Sequence, residues 1–261
     1  LTALTALRQH WPEYLIEGWA LGTFMVSAGV VATLLGYPGS PLHAAIPDPD
    51  VRRVLGGVAM GLTAIAIIYS PLGKRSGAHM NPAVTLTFLR LGKVARWDAI
   101  FYMAAQFIGG TFGVLLVWAL LGSAFASPPV AFAATLPGSS GTAVALLAEF
   151  LISMGMMLMI LFATNRARLA PFTGLFAGVL VAAYIGLEEP LSGMSMNPAR
   201  SFASAAPACA WMSMWVYFVA PVAGMLCASL IYCAWRGAQT VGCAKLLHPS
   251  NVRCIHCGYR P

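Results

Sequence analysis

Ser76-Gly77-Ala78-His79-Met80-Asn81-Pro82-Ala83 and Ser192-Gly193-Met194-Ser195-Met196-Asn197-Pro198-Ala199 are two copies of one block, identical at six of eight positions and 116 residues apart. Chance is a poor explanation for a block of this length, so the chain reads as an internal duplication. The surroundings repeat as well. Tyr102, Gln106 and Gly109 correspond to Tyr217, Pro221 and Gly224 at an offset of 115, and Glu17 and Glu149 each fall in the first long apolar segment of their half. In both blocks Asn-Pro opens a short apolar stretch, 81–91 and 197–206. Asn is a good helix cap, and Pro is tolerated in a first turn whose N–H groups lack partners anyway. Neither stretch reaches the roughly 20 residues that cross a bilayer.

Six longer apolar segments surround them, at 14–36, 54–70, 97–122, 143–164, 169–187 and 211–235. The chain is 59% hydrophobic and 9% charged, with a mean hydropathy of +0.78. Soluble domains carry about 25% charged residues, so a compact soluble fold is excluded and the lipid bilayer is the expected solvent. A net charge of +7 also occurs in nucleic-acid binders. Here the basic residues sit in short loops between apolar runs, which points to membrane orientation and away from nucleic acid. With six spans and a cytoplasmic N-terminus, twelve of the fifteen Lys and Arg fall inside; Arg52 and Arg53 fall outside beside Asp48 and Asp50, and Arg200 belongs to the second short stretch. That bias follows the positive-inside rule and predicts both termini in the cytoplasm at the plasma (inner) membrane. The outer turn before Asn197 is expected to carry Glu188 and Glu189. Three spans per repeat force the halves into opposite orientations, so the copied boxes approach the midplane from opposite faces.

The six cysteines do not form a disulfide framework: Cys209, Cys227 and Cys233 lie in or beside apolar runs, the other three in the tail. The first dozen residues, with Arg8, His10, Trp11 and Pro12, lack the apolar core and cleavage site of a secretory signal. The first residue is Leu, so the natural start is expected to lie upstream.

SGAHMNPAVTLTF at 76–88 and SGMSMNPARSFASA at 192–205 resemble the aquaporin (major intrinsic protein) family, and the resemblance runs from about residue 15 to 235. It implies an all-α membrane protein, an aquaporin-like inverted repeat of six transmembrane helices plus two re-entrant half-helices, with a pore in each protomer of a homotetramer. The channel domain would occupy 1–236, with repeats at 13–122 and 142–236, and 237–261 would form a cytoplasmic tail.

Within that frame Asn81, Pro82, Ala83, Asn197, Pro198 and Ala199 are the expected pore midpoint. A helix N-terminus carries about half an elementary positive charge, and two of them aimed at one point disfavour a cation there. The Asn amides can each donate to a passing oxygen, turning a water's hydrogens away from the midpoint. Arg200 reads either as an interfacial charge that snorkels or as a functional intramembrane group; the resemblance makes it the arginine of the outer filter. Alignment on the boxes places Met60, Ile185 and Met194 beside it, the first needing one extra residue in the 70–75 loop. Typical water channels have an aromatic residue and a histidine in place of Met60 and Ile185, so this filter departs from theirs. Glu17 and Glu149 read as supports for the irregular backbone before each half-helix, or else as a proton relay. His79 reads as a vestibule residue or as a packed loop histidine.

The tail leaves the family pattern. Cys254-Ile255-His256-Cys257, with Cys243 and His248 upstream, could hold zinc, form a redox pair, or carry incidental thiols; no other cofactor is expected. The function expected is a passive channel for water and small uncharged solutes that excludes protons and ions. Glycerol, ammonia and hydrogen peroxide are the alternative permeants. Ser201, Ala205 and Tyr217-Phe218 resemble water channels, and Ile185 pulls the other way. An ion-coupled secondary transporter would need more intramembrane acids than Glu17 and Glu149. The sequence carries no His-Glu-x-x-His or Gly-x-Ser-x-Gly motif, and no enzyme is expected.

Overall fold

The computed structural model describes residues 2–248 and 251–260. Its frame is eight helices: α1 (Ala3–Gly36), α2 (Pro49–Tyr69), α3 (Pro82–Arg90), α4 (Arg96–Leu121), α5 (Thr142–Thr164), α6 (Thr173–Ser192), α7 (Pro198–Ala208) and α8 (Val216–Arg236). All but α3 and α7 are long and apolar enough to cross a membrane, and no strand occurs among the described residues. α3 and α7 are the two short helices that begin at Asn81 and Asn197.

Three boundaries differ from the sequence reading, each for a local reason. α1 begins at Ala3, well before the apolar run, because its first turns are held from the side. His10 Nδ1 and the Tyr14 hydroxyl both donate to Asp98 Oδ1 at the start of α4, and Arg75 pairs with the buried Glu13 at 3.1 Å. α6 runs on through Pro190 to Ser192, so Glu188 and Glu189 lie in its last turns and not in the outer turn. α8 starts at Val216 because 211–215 is taken up by turns, with Ser213 at φ 58°.

Without a hydrophobic force between helices in lipid, close packing depends on small residues at the crossings. α1 crosses α4 through Gly18 and Gly22 against Gly109 and Gly113. A Cβ on Gly18 would stand 2.9 Å from Ala105 O, and one on Gly22 would stand 2.8 Å from Gly109 O. α2 crosses α6 in the same way, where a Cβ on Gly57 would meet Ala182 O at 2.7 Å. α5 packs on α8 to complete the second half. Each half-helix leans on the last span of the opposite repeat: α3 on α8, and α7 on α4. The halves are thus interlocked around the short helices.

The outer surface is apolar, with Ile108 72% and Leu187 80% exposed. Exposed Trp11 and Trp235 sit toward the face of the termini, and Trp211 and Trp215 toward the other, as interfacial aromatic belts do. Replacing Gly109 by Ala should drive a methyl group into the Gly18 backbone and cost roughly 3 kcal/mol. Thermal unfolding in detergent should show a clear drop in Tm. Gly56→Ala, whose new Cβ would meet Leu35 Cδ1 at an ordinary 3.6 Å, should leave it nearly unchanged.

Candidate functional site: a pore between two half-helices

The segments that lead into α3 and α7 are irregular backbone buried in the fold, and their N–H groups need partners inside the protein. Two carboxylates supply them. Glu17 Oε1 accepts from Ser76 Oγ at 2.7 Å and His79 N at 3.0 Å, while Oε2 accepts from Met80 N at 2.7 Å. Glu149 repeats this: Oε1 accepts from Ser192 Oγ at 2.9 Å and Ser195 N at 2.6 Å, and Oε2 from Met196 N at 2.7 Å. Tyr102 and Tyr217 donate their hydroxyls to Ser76 O and Ser192 O respectively. Both segments take the same left-handed turns, with φ of 108° and 78° at Gly77 and Gly193, and 51° and 56° at Met80 and Met196. The glycines fit that conformation without cost; the methionines are held there by the carboxylates that grip their N–H groups.

The two Asn side chains lock the halves together. Asn81 Oδ1 caps α3 by accepting from Ala83 N, and Asn197 Oδ1 caps α7 by accepting from Ala199 N and Arg200 N. Each amide then crosses to the other repeat: Asn81 Nδ2 donates to Met196 O at 2.7 Å, and Asn197 Nδ2 to Met80 O at 2.6 Å. An amide nitrogen carries two hydrogens, so one of each pair remains for the pore. Both Asn residues line a cavity of about 700 Å³. It runs from Arg52 and Arg53 at one mouth, past Asn81 and Asn197, to His79 and Leu246 at the mouth on the side of the termini.

Met60, Ile185, Met194 and Arg200 all line this cavity. The Arg200 guanidinium donates to Thr135 Oγ1, a residue of the uncharged loop before α5 that no motif or repeat singles out. Among the described residues Arg200 makes no ion pair, although Glu189 stands on the same cavity wall because α6 extends so far. Pro82, Ala83, Pro198 and Ala199 are buried in the first turns of the half-helices, behind the Asn side chains.

His79 both lines the cavity and is packed in the loop. Its Nε2 donates to Ala244 O at 2.8 Å, its Nδ1 pairs with Thr85 Oγ1 at 3.1 Å, and its ring stacks on His256 at 5.6 Å. Burial pushes the His256 imidazole down to about 3, with His79 acting in the same direction, so that ring stays neutral. The tail therefore touches the pore mouth, a contact no sequence pattern announced. Cys243, His248, Cys254 and Cys257 come together there in one cluster, away from the pore midpoint.

Six spans, two opposed half-helices and a cavity threading between them define a channel-forming, multi-pass integral membrane protein. The chain belongs to the major intrinsic protein family, whose model matches residues 8–232. It is 34% identical to Aquaporin NIP1-2 of Oryza sativa subsp. japonica over 84% of this chain and 70% of that one. It is 36% identical to Aquaporin NIP2-2 of Zea mays, over 81% and 71%. Its fold is similar to the X-ray structure of the aquaglyceroporin from Plasmodium falciparum, with a TM-score of 0.68 and 21% identity across 86% of this chain and 96% of that one. As a member of this family it is a passive channel and not an enzyme.

Replacing Glu149 by Ala should strip the second half-helix loop of three acceptor contacts and lower stability by about 3 kcal/mol. Glu149→Gln, which keeps one carbonyl acceptor, should lose less. Thermal unfolding of the detergent-solubilised variants, compared with the matched pair at Glu17, checks both.

Proposed function

We propose that this chain conducts water and small uncharged solutes passively while rejecting protons and ions. The observation that carries the reading is the crossed pair of Asn amides at the meeting point of two half-helix N-termini. Each helix end contributes positive potential, and both point into the middle of the cavity, so a cation is repelled from either side. The free N–H of Asn81 and that of Asn197 donate to the same passing water oxygen. A water held that way has no hydrogen directed along the file, and proton relay stops there.

Selection of the solute falls to Arg200, Met60, Ile185 and Met194. Arg200, fixed by Thr135, supplies the strong donor and the cation-repelling charge of the filter. The other three are apolar and offer a permeant no acceptor stronger than a thioether sulfur. Water is the primary permeant in this reading, supported by relatives that are described as aquaporins. Ile185 supports a second reading: without a polar group at that place, the filter discriminates weakly against ammonia, hydrogen peroxide or glycerol. Glu17 and Glu149 spend their acceptor capacity on the half-helix loops, which argues against a coupling-ion site.

The channel body is taken as residues 1–236 with the tail as 237–261. The bias of Lys and Arg toward the face of the termini supports a cytoplasmic location for both ends at the plasma membrane. A homotetramer with one pore per protomer is the assembly that membership of the family implies.

In proteoliposomes, stopped-flow light scattering should show osmotic shrinkage well above that of empty vesicles, indifferent to sodium or proton gradients. No excess flux of water or of any small neutral solute would sink the channel reading. Ile185→His should lower the glycerol-to-water ratio several-fold. Arg200→Val should raise glycerol flux and admit a proton leak, read with a pH-sensitive dye trapped inside the vesicles.

A further inference from the structure

The C-terminal segment carries a side-chain cluster that permeation does not use. Cys243 Sγ lies 3.4 Å from Cys254 Sγ, and His248 Nε2 lies 3.2 Å from Cys257 Sγ. All four ligand atoms lie within 4.8 Å of one another. Tetrahedral zinc, with Zn–S of about 2.3 Å and Zn–N of about 2.0 Å, holds its ligand atoms roughly 3.5 to 3.8 Å apart. A single ion therefore fits among these four atoms once the widest separation closes by up to about 1 Å.

The backbone is also arranged for thiolates. The N–H groups of His256 and Cys257 turn back on the Cys254 sulfur, and the Lys245 N–H does the same for Cys243. Three thiolates and a divalent ion leave one net negative charge. The buried Lys245 ammonium interacts with all three sulfurs and offsets it. Thiolate-rich sets with one imidazole, four ligands and no open position select zinc in a structural role. A redox pair would employ two of the cysteines and leave His248 and Cys257 without a purpose.

We propose that Cys243, His248, Cys254 and Cys257 form a structural zinc site that clamps residues 244–247 onto the pore mouth on the side of the termini. The clamped residues already hold that mouth. Ala244 O accepts from His79 Nε2, Leu246 N donates to Gly77 O at 3.2 Å, and Lys245 Nζ donates to Lys74 O and Arg253 O, both at 3.0 Å. Leu246 itself lines the cavity beside His79. Every one of these contacts lies within a few residues of a ligand, so closing the metal site fixes the strap and losing the metal frees it. The effect of the metal on conduction rests on the channel reading; the metal site itself does not.

The test uses the full chain, purified in detergent with its thiols reduced and then given zinc. Elemental analysis should find about one zinc per chain, with Cys257→Ser and His248→Ala each weakening binding at least roughly tenfold. Cys209→Ser, outside the cluster, should retain full stoichiometry, and monodisperse elution of every variant guards against misfolding. Cobalt in place of zinc should give a thiolate charge-transfer band and the strong visible bands of a tetrahedral site. Tryptic cleavage after Lys245 should be slowed by zinc and restored by a chelator. Metal content near zero in the reduced protein, or a Cys243–Cys254 disulfide that excludes metal, would overturn the site. In vesicles, chelation should raise water permeability by releasing Leu246 from the mouth. Unchanged permeability after chelation has removed the stoichiometric zinc would overturn the clamp on conduction while leaving the site. Absence of flux in every state would instead count against the channel reading.

Discussion

A polypeptide that enters a bilayer halfway and turns back exposes backbone N–H groups where no water can satisfy them, and the rest of this molecule follows from how that debt is met. Glu17 and Glu149 each place both carboxylate oxygens against one such turn, and each collects a serine hydroxyl and two backbone N–H groups. A buried carboxylate is itself costly unless its acceptors are filled. The loop and the carboxylate therefore stabilise one another, and neither would survive alone at that depth. Because the turns are rigid, the two half-helices begin at fixed points. Their Asn caps can then reach across to Met80 O and Met196 O and join the halves.

The duplication is close in geometry and loose in chemistry. The left-handed turns, the serine that bonds its own carboxylate and the tyrosine that bonds the serine carbonyl recur in both halves. Where the halves differ, function and regulation have room. Gln106 gives Glu17 an additional donor at 2.9 Å, and its counterpart Pro221 has none to give. His79 reaches the tail, whereas its counterpart Ser195 turns inward to Ser201 Oγ at 2.5 Å. One mouth is thus tied to the C-terminal segment through Ala244, and the other to Arg200 and the loop that carries Thr135.

The cavity wall around Arg200 and the tail also show how an apolar lining and a polar anchor divide the work. Arg200 is held by a neutral hydroxyl, with no carboxylate bonded to it among the described residues, so its charge stays available to the cavity. Met60, Ile185 and Met194 set the shape around it without competing for hydrogen bonds. At the opposite mouth the tail closes over His79 through backbone contacts and leaves its cysteines outside the conduction path.

The sequence by itself determined the membrane class, the six spans, the duplication and its inverted sense, because hydropathy, helix-starting Asn-Pro pairs and an odd span count are local or countable properties of the chain. The matching places of Glu17 and Glu149 were visible for the same reason. Only the tertiary structure decided what those groups touch. Thr135 sits in a loop with neither charge nor repeat counterpart, Glu189 reaches the cavity because α6 outruns its apolar stretch, and Leu246 comes to the mouth from far along the chain. Such contacts arise from packing across large sequence separation, which periodicity and composition do not encode. The spacing of Cys243, His248, Cys254 and Cys257 was likewise readable as a pattern. That their four ligand atoms converge follows from the folding of the tail against α1 and the first half-helix loop, through Arg253 on Gln9 O and Leu246 on Gly77 O.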